Sequence, residues 1–257
     1  MTPNIVNFIE NAVLLPVGIP QVQQEIEAVL PALDLNKLPD AVVAGNTLVD
    51  LSKSTPEIRG PLSLALTFAT LAANGSVGLN AAEGEWFASY KYNLLQLGLN
   101  VSPSSFTSAT FSKQGLAVHK AIIPFLTVAL GGIGVGPVIL ALLENLKQAD
   151  ENQPWIRLFD KQSKRFETRE ISLGAVNTDA LETHIRHVTA RLSVNDSETN
   201  ILFFKIDKSS AEFQSATTQI TANNQHLSAL EQPLRNRLGQ LADDAIKAAT
   251  LVGIGAS

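Results

Sequence analysis

The sequence predicts a single α/β domain, a three-layer α/β/α sandwich in which helical layers cover a mostly antiparallel central sheet. Three observations predict it. Apolar residues recur at three- and four-residue spacing up to about residue 150, β-branched and aromatic runs fill 151–222, and helical spacing returns within 226–252. No internal repeat or long linker divides the chain, so residues 1–257 are read as one domain.

In the first part, Val22, Ile26, Val29, Leu30 and Leu33 mark one amphipathic helix, and Leu62, Leu66, Ala69 and Ala73 mark a second after Pro61. A third spans 83–97. Trp86, Phe87, Tyr90, Leu94 and Leu97 share one face there, and Gly98 ends it; an ordinary core stripe explains that face better than a cofactor pocket. Residues 41–51 and 101–113 are short strands or loops.

Residues 121–143 carry no charged side chain and are bounded by Lys120 and Glu144. A run of that length is a membrane-span candidate, because roughly twenty helical residues cover about 30 Å of hydrocarbon. However, Gly131, Gly132, Gly134, Gly136 and Pro137 interrupt its middle, where each Gly costs about 1 kcal/mol and a Pro about 3. A hairpin of two apolar helices fits better, one from about Leu116 to Leu130 and one from about Pro137 to Lys147. Its resting place is a buried core.

Beyond Asp150 the runs at 155–161, 166–176, 183–194, 201–207 and 212–221 read as strands, joined by turn-forming stretches too short for crossover helices. The chain then closes with a helix from Pro233, in which Leu234, Leu238, Leu241 and Ala245 keep helical spacing.

Composition narrows the function. Apolar residues make up 45% of the chain and charged ones 17%, so it is globular and lean in charge. A net charge of −5 and the lack of a large Lys/Arg cluster argue against a nucleic-acid partner, which would require several phosphates to be neutralised. With no cysteine, thiolate chemistry and disulfides are excluded. His184 and His187, three apart in a strand, point to opposite faces and cannot chelate one metal together. GGIGVG at 131–136 lacks the spacing of a dinucleotide loop, and no nucleophile elbow or paired-carboxylate pattern appears. The chain is therefore not expected to be an enzyme, nor to carry a metal or cofactor. The N-terminal residues lack the basic region of a classical secretion signal, so the expectation is a soluble protein released by another route.

The segment PWIRLFDKQSKRFETREISLGAV after a long apolar helix, followed by ILFFKIDKSSAEFQSATTQIT, resembles the Cyt-type cytolysins. These are δ-endotoxins of the insecticidal crystal class, and fungal cytolysins and a bacterial virulence factor share their fold. The resemblance covers about residues 115–225 and rests on Trp155-Ile156 and the Leu202-Phe203-Phe204 block with its following Ser-Ala. The N-terminal third has no counterpart, and the family's leading strand is not evident before the first helix.

The resemblance implies a toxin or virulence factor that binds membrane lipids directly and disrupts target-cell membranes by rearrangement and self-oligomerisation. Trp155, Ile156, Leu158, Phe159, Ile201, Leu202, Phe203, Phe204 and Ile206 would be its membrane-interacting residues. The same residues equally suit the inner face of an ordinary sheet. The alternative function is a non-lytic protein of this fold that binds a lipid or a partner between sheet and helices.

Overall fold

The computed structural model describes residues 2–16, 34–78, 83–103, 107–111, 116–117, 138–139, 141–142, 153–163, 169–193, 205–206 and 211–249. The expected helix at 22–33, the turn at 131–136 and residues 201–204 lie outside these. Helix α1 (Pro3–Asn11) leads to a hairpin of β1 (Ala41–Ala44) and β2 (Thr47–Lys53), turned by Gly45 at φ 59°. Helices α2 (Pro56–Val77) and α3 (Glu83–Gln96) follow, then the short strands β3 (Asn100–Val101), β4 (Thr107–Phe111) and β5 (Leu116–Ala117). After α4 (Pro154–Ser163) come β6 (Arg169–Thr178), β7 (Glu182–Ser193), β8 (Lys205–Ile206) and β9 (Ala211–Asn223). The described chain closes with α5 (Asn224–Leu238), α6 (Gln240–Ala245) and β10 (Ile246–Ala248).

One eight-stranded sheet runs β10-β1-β2-β6-β7-β9-β3, with β4 also paired to β9. Every neighbouring pair is antiparallel except β2 with β6. The fold is thus the α/β arrangement with a mostly antiparallel sheet that the sequence predicts.

Strand alternation assigns the two faces. Val42, Ala44, Val49, Leu51, Val176, Ile185, Ile220 and Ala222 point to one side and join α1, α2, α3 and α5 in the main core. Val43, Leu48, Leu173, Ala175, Val188 and Ala190 are also buried, but on the other side. There α4 crosses β10, β1 and β6. Helical residues 138, 139, 141 and 142 also dock on this side, where the Val138 N–H donates to Asp50 Oδ2 at 3.2 Å. Each face therefore has a helical cover.

Four expected elements differ. Trp155–Lys161 is not a strand but part of α4: Pro154 suits a first helical turn, and the buried Trp155, Ile156 and Phe159 follow helical spacing. Helix α2 is not amphipathic. Every residue from Gly60 to Asn74 is buried, because sheet, α1, α3 and α5 surround it. The closing helix begins before Pro233, at Asn224, where Asn223 Oδ1 accepts from the His226 N–H. It does not run to residue 252: Gly239 at φ 50° ends it, and Ile246–Ala248 becomes an edge strand on β1. Finally, Leu116–Ala117 is not the start of an apolar helix; it pairs with Lys205–Ile206 in a separate two-stranded ladder. Among the described residues no helix is long and apolar enough to cross a membrane, and most of 121–143 lies outside them.

Candidate functional site

The inner face of β6, β7 and β9 is expected to be apolar, since helices cover it. At its centre it is polar. Ser172 on β6 lies opposite Thr189 on β7, and His187 on β7 lies opposite Thr218 on β9. Residues 187 and 189 are neighbours on the same face of β7, so the four side chains form one patch. All four are at most 2% exposed. Ser172 Oγ, His187 Nε2, Thr189 Oγ1 and Thr218 Oγ1 each lack a hydrogen-bond partner among the described residues. A buried donor or acceptor left unpaired costs about 1–3 kcal/mol. Below the patch, Val176, Ile185 and Ile220 return the face to apolar packing.

Helix α3 lays rings against His187 in this patch. Tyr90 lies 5.9 Å and Phe87 6.4 Å, centroid to centroid, from the His187 imidazole. Trp86 stacks on Tyr90 at 5.3 Å, and Lys91 Nζ lies 5.1 Å above the Phe87 ring. The sequence builds this arrangement because positions 86, 87, 90 and 94 share one helical face. Burial of the imidazole pushes the His187 pKa down to about 4, so the ring is neutral at neutral pH.

Towards the other helices, α3 is fastened by hydrogen bonds. Trp86 Nε1 donates to Asn74 Oδ1 at 2.8 Å, Asn93 Nδ2 donates to the Ala69 carbonyl at 3.2 Å, and the Ser76 and Ser89 hydroxyls meet at 2.6 Å. At its far end the Leu97 carbonyl lies 2.7 Å from His226 Nε2 on α5. Gly98 is required there: its φ is 84°, and a Cβ would come within 2.5 Å of that ring nitrogen. Helices α2, α3 and α5 are thus tied to one another by polar contacts, whereas the sheet face against the α3 rings holds polar groups without hydrogen-bond partners among the described residues. The junction of α3 with the sheet is therefore a seam between a hydrogen-bonded helical layer and a partly polar sheet face.

The residues the sequence nominates fall elsewhere. Trp155, Ile156, Leu158 and Phe159 are buried on α4 against the opposite face, Trp155 with its Nε1 donating to Gln153 Oε1 at 2.9 Å. Ile206 belongs to the β5–β8 ladder, and Ile201, Leu202, Phe203 and Phe204 lie outside the described residues. The four α4 residues do not join the seam. His184 does point away from His187: it is about one-third exposed and lies 3.3 Å from Asp179. No sequence motif marks Ser172, Thr189 and Thr218; only their alternation with His187 does.

The fold and seam define a class, an α/β sandwich with a helical cover over a partly polar inner sheet face. No protein-family model matches the chain, and no curated protein matches it in sequence. Among solved structures it is similar to a delta-endotoxin, at a TM-score of 0.41 and 13% identity over 76% of this chain and 86% of that one. It is also similar to the Evf virulence factor, at a TM-score of 0.33 and 11% identity over 90% and 91% of the two chains. Neither likeness is close enough to carry an argument, and the fold class rests on this chain's own sheet and helices.

Proposed function

We propose that this chain is a non-enzymatic, membrane-active protein with a toxin-like or virulence role, which binds lipid when its helical layer parts from the sheet. The observation that carries this reading is the seam: four buried polar side chains without hydrogen-bond partners among the described residues share one inner sheet face, and the rings of α3 lie against one of them, His187. Separation there hydrates those groups and uncovers Val176, Ile185 and Ile220, so the sheet trades a helical cover for lipid. An inserted sheet has to satisfy its edge N–H and C=O groups, which calls for closure with further copies of the chain. Membrane lipids and self-oligomers are accordingly the proposed partners, and target-cell membranes the proposed site of action. The apolar stretches at 121–143 and 201–204 supply additional lipid-seeking sequence.

A second reading is favoured by the same four groups, since the polar end of an internal ligand would pair them. In that case the chain binds a lipid or partner without lysis. Zwitterionic vesicles loaded with a self-quenched dye separate the two readings, using the full chain before and after limited proteolysis. Dye release supports the membrane-active reading. Lipid binding without release supports the second, and neither binding nor release contradicts both.

A further inference from the structure

We propose that His187 is an acid-operated release for the helical layer: protonation of its imidazole separates α3 from the inner face of β6, β7 and β9. The proposal deepens the reading of the seam as the place where the molecule opens, and rests on it.

The geometry places this imidazole where a positive charge is least tolerated. It is 2% exposed, it faces the rings of Phe87 and Tyr90, and its cross-strand neighbours are Gly174 and Thr218. A compensating charge would have to come from an element packed against it. From α3 come the Tyr90 phenol and, over the outer side of the Phe87 ring, the cationic Lys91. From β6 come Ser172 and Gly174, from β9 Thr218, and from β7 itself Thr189 and Ile185. On β7, His184 and Arg186 point to the opposite face. Among these described groups none is a carboxylate, and the cationic Lys91 over the Phe87 ring repels an imidazolium.

A proton on His187 is thus left in a buried, unpaired site until the interface opens and water reaches the ring. The closed form takes up the proton only near pH 4, whereas an opened form takes it up near the ordinary 6.5. Between these values the open form binds more protons, so each unit of acidification raises the open-to-closed ratio about tenfold.

The two tryptophans, Trp86 and Trp155, lie on opposite sides of the sheet, which gives a direct readout. With Trp155→Phe in the full chain, Trp86 alone reports on α3. Acrylamide quenching of its fluorescence is expected to rise steeply as the pH falls from neutral to about 5, without lipid present. His187→Gln is expected to flatten that rise, and His184→Gln on the other face is expected to leave it in place. An equal acid response in His187→Gln overturns the proposal. Should that variant not fold, NMR titration of the imidazole in the unaltered chain decides: His187 must gain its proton in the same pH range as Trp86 becomes accessible. A His187 that stays neutral while α3 opens overturns the proposal. Vesicle leakage is scored separately. Acid opening without leakage keeps the release and contradicts the membrane reading, and leakage that ignores pH and His187 does the reverse.

Discussion

Trp86 Nε1 donates to Asn74 Oδ1 at 2.8 Å, and the Asn74 amide in turn donates through Nδ2 to the Leu15 carbonyl, also at 2.8 Å. One side chain on α2 therefore ties α3 to the segment that follows α1. Asn74→Ala leaves the buried indole N–H without this partner, costing about 1–3 kcal/mol, and the part-buried Leu15 carbonyl without its own, costing about 1 kcal/mol. The expected loss is about 2–4 kcal/mol in urea unfolding, with the midpoint lowered and the slope unchanged.

Next to it, Gly75 gives that segment room to approach. A Cβ at 75 would lie 1.9 Å from the Val13 carbonyl oxygen, a backbone atom that cannot rotate away. Gly75→Ala is expected to lift residues 12–16 from α2, losing the Leu15 N–H to Leu71 carbonyl bond of 3.0 Å and speeding protease cleavage there. By contrast, Gly84 in the first turn of α3 meets nothing within 4 Å. Gly84→Ala is expected to stabilise the protein by about 0.5–1 kcal/mol.

The hydroxyls of the seam act in the same direction as Gly84. Thr189→Val and Thr218→Val replace unpaired buried hydroxyls by methyl groups of the same shape, where the polar atom brings only a desolvation cost. Each is expected to raise unfolding stability by about 1 kcal/mol, and the pair together is expected to slow dye release from vesicles. A loss of stability in both would show that these hydroxyls are paired in the folded protein.

Two groups give pH dependence in separate windows. The pKa of His187 falls from 6.5 to about 4 on folding, so between those values the unfolded chain holds the extra proton and stability drops as pH falls. The shift corresponds to about 3 kcal/mol lost by pH 4. Asp179 is held below its usual 3.8 by the backbone N–H groups of Glu182 and Leu181, with His184 adding less. Its contribution is present above 3.8 and lost only as pH falls further. Unfolding curves across pH are expected to show the first loss in the unaltered chain and not in His187→Gln, whereas Asp179→Asn changes only the most acidic part.

The sheet was largely legible from sequence. The strands β6, β7 and β9 stand out as β-branched runs between turns, and the α3 stripe of Trp86, Phe87, Tyr90, Leu94 and Leu97 is buried as its spacing requires. Composition misled where periodicity should have ruled. WIRLF is rich in β-forming residues, yet its apolar positions keep helical spacing after a proline. Helix α2 looked one-sided because Ser63, Thr67, Thr70 and Asn74 form a polar stripe; Thr70 and Asn74 turn inward to bond Asn46 and Trp86. The seam was hidden for a related reason. Along THIRHVTARL both alternating sets hold polar residues, so the pattern does not say which faces the core. Only the pairing of β7 between β6 and β9 settles that His187 and Thr189 point inward.

In the proposed mechanism the helical layer leaves the inner face of the sheet on meeting lipid. Hydrogen–deuterium exchange on the full chain, with and without zwitterionic vesicles, tests it most directly. The account predicts that amides of α3 lose protection with vesicles present, while those at the centres of β7 and β9 keep theirs. Unchanged protection of α3 in a sample that is releasing dye would contradict it.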